Sequence, residues 1–329
     1  MAGSYYLALD IGGTKTSAAL FTSSGEIAGD LVLTVGSETF RGEEAVYQNV
    51  RSLLEDLIRR QGTAPGEIFG IGVGSPGPLD TKRGLIVHAP LMGWRNFPIL
   101  DRLGADFHLP ARLDNDGNLG ALAEQRCGVA LGLRNIIYMT VSTGCGGGIL
   151  INGEVYRGAN DGAGEVGHMS IESGGLACPC GSRGCFELYA SGTALLNTMK
   201  ADMAAGKKSR VFDLAGGDGE KLSGRRLDEA AAEGDEYALA LYRQEGYYLG
   251  VGLANLFNLF DPELIVLGGG ITKGRRFFHQ VMMETLKERS EPPVHDGSIR
   301  YSEMNDRVVL YGAFFLIREY MEPASKLRF

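Results

Sequence analysis

One imidazole and three thiols fall close together in the stretch GHMSIESGGLACPCGSRGC: His168, Cys178, Cys180 and Cys185. Soft thiolates with a single imidazole, four ligands in all, select zinc in a tetrahedral structural site. Four protein ligands leave no coordination position open, so a catalytic zinc-bound water is not expected. Gly181 and Gly184 let the chain fold tightly around the ion. The alternative is buried thiols beside a satisfied histidine, and the Cys-x-Cys-x4-Cys spacing speaks against it. The five cysteines are an odd number and three are bunched, which suits a metal knot better than a disulfide framework. Cys127 and Cys145 stand apart and are expected to be small core residues.

A second kind of chemistry comes from glycine, 49 residues that cluster at the ends of apolar runs. The run YYLALD is followed by Asp10-Ile11-Gly12-Gly13-Thr14-Lys15 and then by SAALF, which reads as strand, tight turn, strand. IIYMTVSTGCGGGILI repeats that design around Thr143, Gly144 and Gly146, and ELIVLGGGI ends on Gly268, Gly269 and Gly270. Bare backbone N–H groups in such loops form a concavity for anions. Thr14 and Thr143 add hydroxyl donors, Lys15 adds a charge, and Asp10 at a strand end can organise a magnesium ion with its waters. A lone loop of this kind is equally well a hairpin turn. Two of matching design favour one phosphate-bearing ligand, with Mg2+ at Asp10, held by two related lobes. Neither loop is a Walker sequence or a dinucleotide fingerprint, so a nucleotide site here belongs to another architecture.

These residues must be positioned by an α/β framework. Apolar strand-like runs alternate with helical spacing, as in AVYQNVRSLLEDLIRR, whose Val46, Val50, Leu53, Leu54, Leu57 and Ile58 share one face. A chain of 329 residues, 44% hydrophobic, can bury a large core, and two lobes are expected. The net charge of −8 is spread along the chain, and no long basic run would track a nucleic acid backbone. The N-terminus carries no basic region ahead of its apolar stretch, and no apolar stretch is long enough to span a bilayer. A cytoplasmic protein with neither membrane nor nucleic acid partners is expected.

LDNDGNLGALAEQ puts Asn115 and Asp116 at a helix entrance, where the plain reading is an N-cap. Here the sequence resembles a known family. The quoted loops look like the phosphate and adenosine loops of the actin and hexokinase superfamily, and TGCGGGILINGEVYRGANDGAGEVGH with CPCGSRGCFELYASG is similar to the ROK family of bacterial sugar kinases and repressors. The resemblance runs from about Leu7 to about Leu316.

It implies a two-lobed actin-like ATPase fold, ribonuclease H-like, with a central cleft and a small zinc knot on the four residues named above. It also implies ATP-dependent phosphorylation of a hexose at its C6 hydroxyl, glucose first, with an N-acetylhexosamine or fructose as alternatives. Asn115-Asp116-Gly117-Asn118 matches the family's Asn-Asp-Ala-Asn motif, in which the aspartate takes the hydroxyl proton, so Asp116 is the expected base. Asn115, Glu165, His168 and Glu187, with Ser75 and Gly77 of the SPGP loop, are the implied sugar contacts. Zinc on one ring nitrogen of His168 would aim the other at a sugar hydroxyl. In HAPLMGWRN, Leu91 and Met92 replace the family's usual Asn-Leu, which bears on which sugar is taken. Family repressors carry a DNA-binding segment ahead of the first loop, and only nine residues precede Asp10 here, so a repressor is disfavoured. The lobes are expected at residues 1–117, completed by a C-terminal helix within 305–329, and 118–304, in a homo-oligomer, dimer or tetramer.

Overall fold

The structure is a computed structural model that describes residues 5–38, 41–89 and 92–323. Leu91 lies outside the described residues. The chain forms two compact units, Met1–Arg134 with Gly148–Gly164 and Glu303–Phe329, and Asn135–Gly147 with Glu165–Ser302.

The first unit is built on a five-stranded sheet in the order β3-β2-β1-β4-β8. Its strands are β1 (Tyr5–Ile11), β2 (Lys15–Thr22), β3 (Ile27–Gly36), β4 (Ile68–Ser75) and β8 (Ala111–Asn115). β1 runs antiparallel to β2 and parallel to β4, which is in turn parallel to β8. The two-residue period of β1 splits its apolar residues between two cores. Leu7, Leu9 and Ile11 pack with Val46, Val50, Leu54 and Leu57 of α1 (Glu43–Gln61) on one face. Tyr6 and Ala8 pack with Leu310, Ala313 and Phe314 of α9 (Val308–Met321) on the other. α9 lies so close that a Cβ at Gly72 of β4 would stand 1.9 Å from the Ala313 carbonyl oxygen, so only glycine fits there. A small sheet of β5 (Leu79–Asp80), β6 (Leu85–Ala89) and β7 (Trp94–Phe97) follows the SPGP loop, with Trp94 stacked on Phe97 and Met92 buried in the core. α2 (Ile99–Phe107) leads into β8, and α3 (Asp116–Cys127) leaves it.

In the second unit β9 (Ile136–Val141), β12 (Leu264–Gly268) and β13 (Ile299–Tyr301) are parallel neighbours. β12 is buried along its whole length, as its unbroken apolar LIVLG requires. β10 (Cys145–Ile151) borders β9 and carries the chain back to the first unit, where it pairs with β11 (Glu154–Val155). Helices α4 (Gly192–Ala204), α5 (Arg210–Leu214), α6 (Gly224–Ala232), α7 (Glu236–Phe260) and α8 (Arg275–Arg289) complete this unit.

The compact units differ from a division at Gly117, and the first is the larger. α3 stays with it because it packs on α9, where Gly312 lies against the Leu119 backbone. Residues 148–164 stay with it through an ion pair of Arg157 with Asp114 and hydrogen bonds from Thr81 to Asp161. Cys127 is exposed at the C-terminal end of α3, so it is not a core residue, whereas Cys145 is buried. Among the described residues no helix is long and apolar enough to cross a membrane.

Candidate active site

In the first unit the chemistry gathers at the carboxyl ends of three adjacent parallel strands, where α/β sheets place their ligand sites. Asp10 ends β1 opposite Gly74 of β4, and Ser75 at the end of β4 lies opposite Asn115 at the end of β8. Asp116 opens α3. The cap is supplied by Asn115, whose side-chain oxygen accepts the Gly117 N–H at 2.8 Å. That N–H also reaches Asp116 Oδ1, so the helix start does not depend on the Asp116 carboxylate. Burial holds the Asp116 carboxyl above the usual carboxylate range, against the pull of the Gly117 N–H. Asp10 is pushed up to about 7, first by burial and then by repulsion from Asp116, with Lys15 acting the other way.

The turn after β1 is closed by the Gly12 N–H donating to the Lys15 carbonyl at 3.0 Å, and Ser37 Oγ donates to the Gly12 carbonyl at 2.6 Å. Gly13 and Thr14 complete that turn at the surface. Lys15 pairs with Asp306 at 2.6 Å, both exposed. Ser75 is fully buried and its hydroxyl faces the Pro76 carbonyl, so it shapes the loop rather than presenting a donor. Gly77 precedes Pro78 through a cis peptide.

In the second unit the loops after the parallel strands β9 and β12 line one pocket of about 530 Å³. Ser142 and Thr143 contribute from the first loop, Gly270 and Lys273 from the second. The first loop is held by α4, whose Gly192 and Thr193 N–H groups donate to the Ser142 and Thr143 carbonyls. Gly192 and Gly224, the first residues of α4 and α6, also line the pocket, so two helix N-termini favour negative charge there. Gly268 closes β12, and Gly146 lies inside β10 against Thr140 rather than in the loop. Gly269 has φ +88°, and a Cβ there would stand 2.3 Å from the Val141 carbonyl oxygen. Gly269→Ala is therefore expected to deform this loop and weaken binding of a phosphate-bearing ligand in the pocket by about tenfold or more, measured by calorimetry.

His168, Cys178, Cys180 and Cys185 bring their ligand atoms within 4.8 Å of one another. Cys180 Sγ and Cys185 Sγ are 3.7 Å apart, and Cys178 Sγ is 3.8 Å from His168 Nδ1. The edge of a tetrahedron with metal–sulfur bonds of about 2.3 Å is about 3.8 Å, so the four residues fit a zinc ion. His168 sits on a short turn, Val166–His168, and Glu187 on another, Phe186–Leu188. Glu187 Oε1 is 3.7 Å from His168 Nδ1, and its Oε2 lies where a Cβ on Gly144 would be, 2.7 Å away. Glu187 thus lies between the knot and the Ser142–Gly144 loop, with no room for a side chain at Gly144. Glu165 and His168 are exposed.

Residues 6–320 match the ROK family. The chain belongs to the ROK family. It is 32% identical to a glucokinase of Halalkalibacterium halodurans over 99% of this chain and 98% of that one. It is 31% identical to a xylose repressor of Caldicellulosiruptor bescii over 84% of this chain and 69% of the repressor. A ROK family glucokinase from Streptomyces griseus, solved in complex with glucose and AMPPNP, superimposes with a TM-score of 0.80 at 30% identity, covering 95% of this chain and 99% of the other. The α/β architecture with mixed sheets is that of ROK sugar kinases.

Within this ROK fold, several pocket residues carry no sequence signal strong enough to find alone. Gly192, Gly224, Arg225, Asp228 and Lys273 line the pocket from three separate segments. The available hint is the pair Ser191-Gly192 and Ser223-Gly224, where each serine caps the helix that its glycine begins.

Proposed function

We propose that the chain transfers the γ-phosphoryl group of ATP to the C6 hydroxyl of a hexose, with glucose as the favoured sugar. The observation that carries this reading is the start of α3, where Asn115 caps the helix and leaves the buried Asp116 carboxyl, its proton affinity raised by burial, close to Asp10. Asp116 accepts the proton of the C6 hydroxyl as its oxygen bonds to the γ-phosphorus. The bond from that phosphorus to the β,γ-bridging oxygen breaks, and ADP leaves.

Asn115, Glu165, His168 and Glu187 are the residues we assign to the sugar hydroxyls. The glycine turns at Gly12–Lys15 and Ser142–Gly144 are assigned to the phosphates, and Gly269–Gly270 with the pocket behind them to the nucleoside. The two repelling carboxyls at Asp10 and Asp116 suit a divalent cation, and Mg2+ bound with ATP would spread the phosphate charge there. Zinc in the His168 knot would be structural, since its four ligands complete the tetrahedron.

The similarity to a xylose repressor favours one second reading, a sugar-responsive DNA-binding regulator. A coupled ADP-release assay across glucose, mannose, fructose and N-acetylated hexosamines, beside an electrophoretic shift assay, separates the two. Sugar-dependent ADP release with the highest kcat/KM on glucose is the expected result. DNA binding without sugar-dependent ADP release overturns the kinase reading. A preference for an N-acetylhexosamine or fructose keeps the kinase and replaces the sugar.

A further inference from the structure

Asp114 precedes the Asn115-Asp116 turn and is almost fully buried, with its side chain 2% exposed. It makes no contact that the proposed chemistry uses. Its Oδ1 nevertheless accepts the Asn115 backbone N–H at 2.8 Å and the Asn118 side-chain amide at 2.9 Å. Those two anchors flank Asp116 on either side. Its Oδ2 accepts both Nε and Nη2 of Arg157, at 2.9 and 2.5 Å. A carboxyl group this buried costs free energy unless its oxygens are hydrogen-bonded, and Arg157 satisfies one of them twice.

Arg157 comes from a loop far along the chain, and that loop is tied down again four residues later. Asp161 Oδ2 accepts the N–H and the hydroxyl of Thr81, just past the SPGP loop, at 2.8 and 2.9 Å. The segment Arg157–Asp161 is thus strapped at one end to β8 and at the other to the turn after β5.

We infer that Arg157 is a positioning residue: by orienting Asp114, it fixes the backbone of Asn115 and the side chain of Asn118, and so the aim of Asp116. The inference rests on Asp116 being the base. Without the guanidinium, Asp114 loses the partner that fixes its orientation, and both anchors around Asp116 loosen. Displacing a reacting group by about 1 Å costs on the order of 100-fold in rate. The nucleotide pocket is built from other segments, so it is not touched.

The test is a set of kinetic constants for Arg157→Met, Arg157→Lys, Asp114→Asn, the double variant Asp114→Asn/Arg157→Met and Asp116→Asn, each with its Tm. Arg157→Met is expected to lower kcat by about 100-fold while the KM for ATP stays within about twofold of wild type. Arg157→Lys, which keeps the charge but loses the two-pronged donor, is expected to recover part of that rate. The double variant is expected to be no slower than the worse single variant by more than about twofold, because both act on one linkage. Should Arg157→Met fail to fold, the near-isosteric Asp114→Asn and Arg157→Lys give the same reading.

A merely structural pair would lower Tm and leave kcat per folded molecule intact. That result, or additive losses in the double variant, with Asp116→Asn inactive, overturns this inference and leaves the kinase reading standing. An active Asp116→Asn overturns both.

Discussion

Asp116→Asn is expected to lower kcat by about a thousandfold, the scale on which a positioned general base contributes, while hexose binding measured by calorimetry stays close to wild type. Asparagine keeps the size and one acceptor oxygen, and Asn115 still caps α3, so the helix start survives the change. The same variant is expected to be more stable than wild type at pH 8. Burial raises the Asp116 carboxyl above its unfolded value of 3.8, so between that value and its folded one the native state binds the extra proton. Stability is therefore fully present below about pH 4 and declines as pH rises through the folded value, a decline the amide removes. Asp10 adds to the effect, since repulsion from Asp116 helps lift it to about 7 and that contribution disappears in the variant. Melting curves from pH 4 to 8 should show the two proteins diverging upward with pH. A variant that kept most of its kcat would remove Asp116 as the base. A variant that melted below wild type at pH 8 would mean the carboxylate stabilises the turn.

The second large effect is expected at the knot. Cys180 is exposed, so Cys180→Ser disturbs little packing, and its cost reports the ligand it removes. Zinc binding is folding energy in small knots, and even a part of it, about 4 kcal/mol, lowers the Tm of a domain this size by about 10 °C. Metal analysis should find one zinc per chain in wild type and a loss of it in the variant. The KM for hexose is expected to rise by about tenfold, because a metal on Nδ1 fixes the direction of Nε2 of His168, and because Glu187 lies between the knot and Gly144. Lower stability with an unchanged KM would confine the metal to a scaffolding role. Full stability and no bound zinc would remove the metal altogether.

Much of this was readable in the chain itself, for identifiable reasons. Strand-glycine-strand runs are local, so β1–β2 and the β9–β10 turn follow from composition and a two-residue period. The four residues that fit a zinc ion are nearly local too, in one short stretch. The amphipathic pattern of α1 needed no tertiary knowledge. Asp116 was ambiguous, because a carboxylate at a helix entrance looks like a cap. The tertiary structure gives the cap to Asn115 and brings Asp116 near enough to Asp10 to raise its titration.

Other features exist only through contacts between distant segments. No local signal joins Arg157 to Asp114, or Asp161 to Thr81, and those links draw residues 148–164 into the first unit. Ser75 is a sugar contact only by resemblance, and within the fold its buried hydroxyl donates to the Pro76 carbonyl. The pocket behind Thr143 is assembled from helix N-termini that follow unremarkable Ser-Gly pairs. The sequence by itself determined which residues can do the chemistry, because side-chain type, periodicity and ligand spacing are properties of short stretches. Only the tertiary structure decided how those residues are held and charged, because burial and long-range partners set both orientation and protonation.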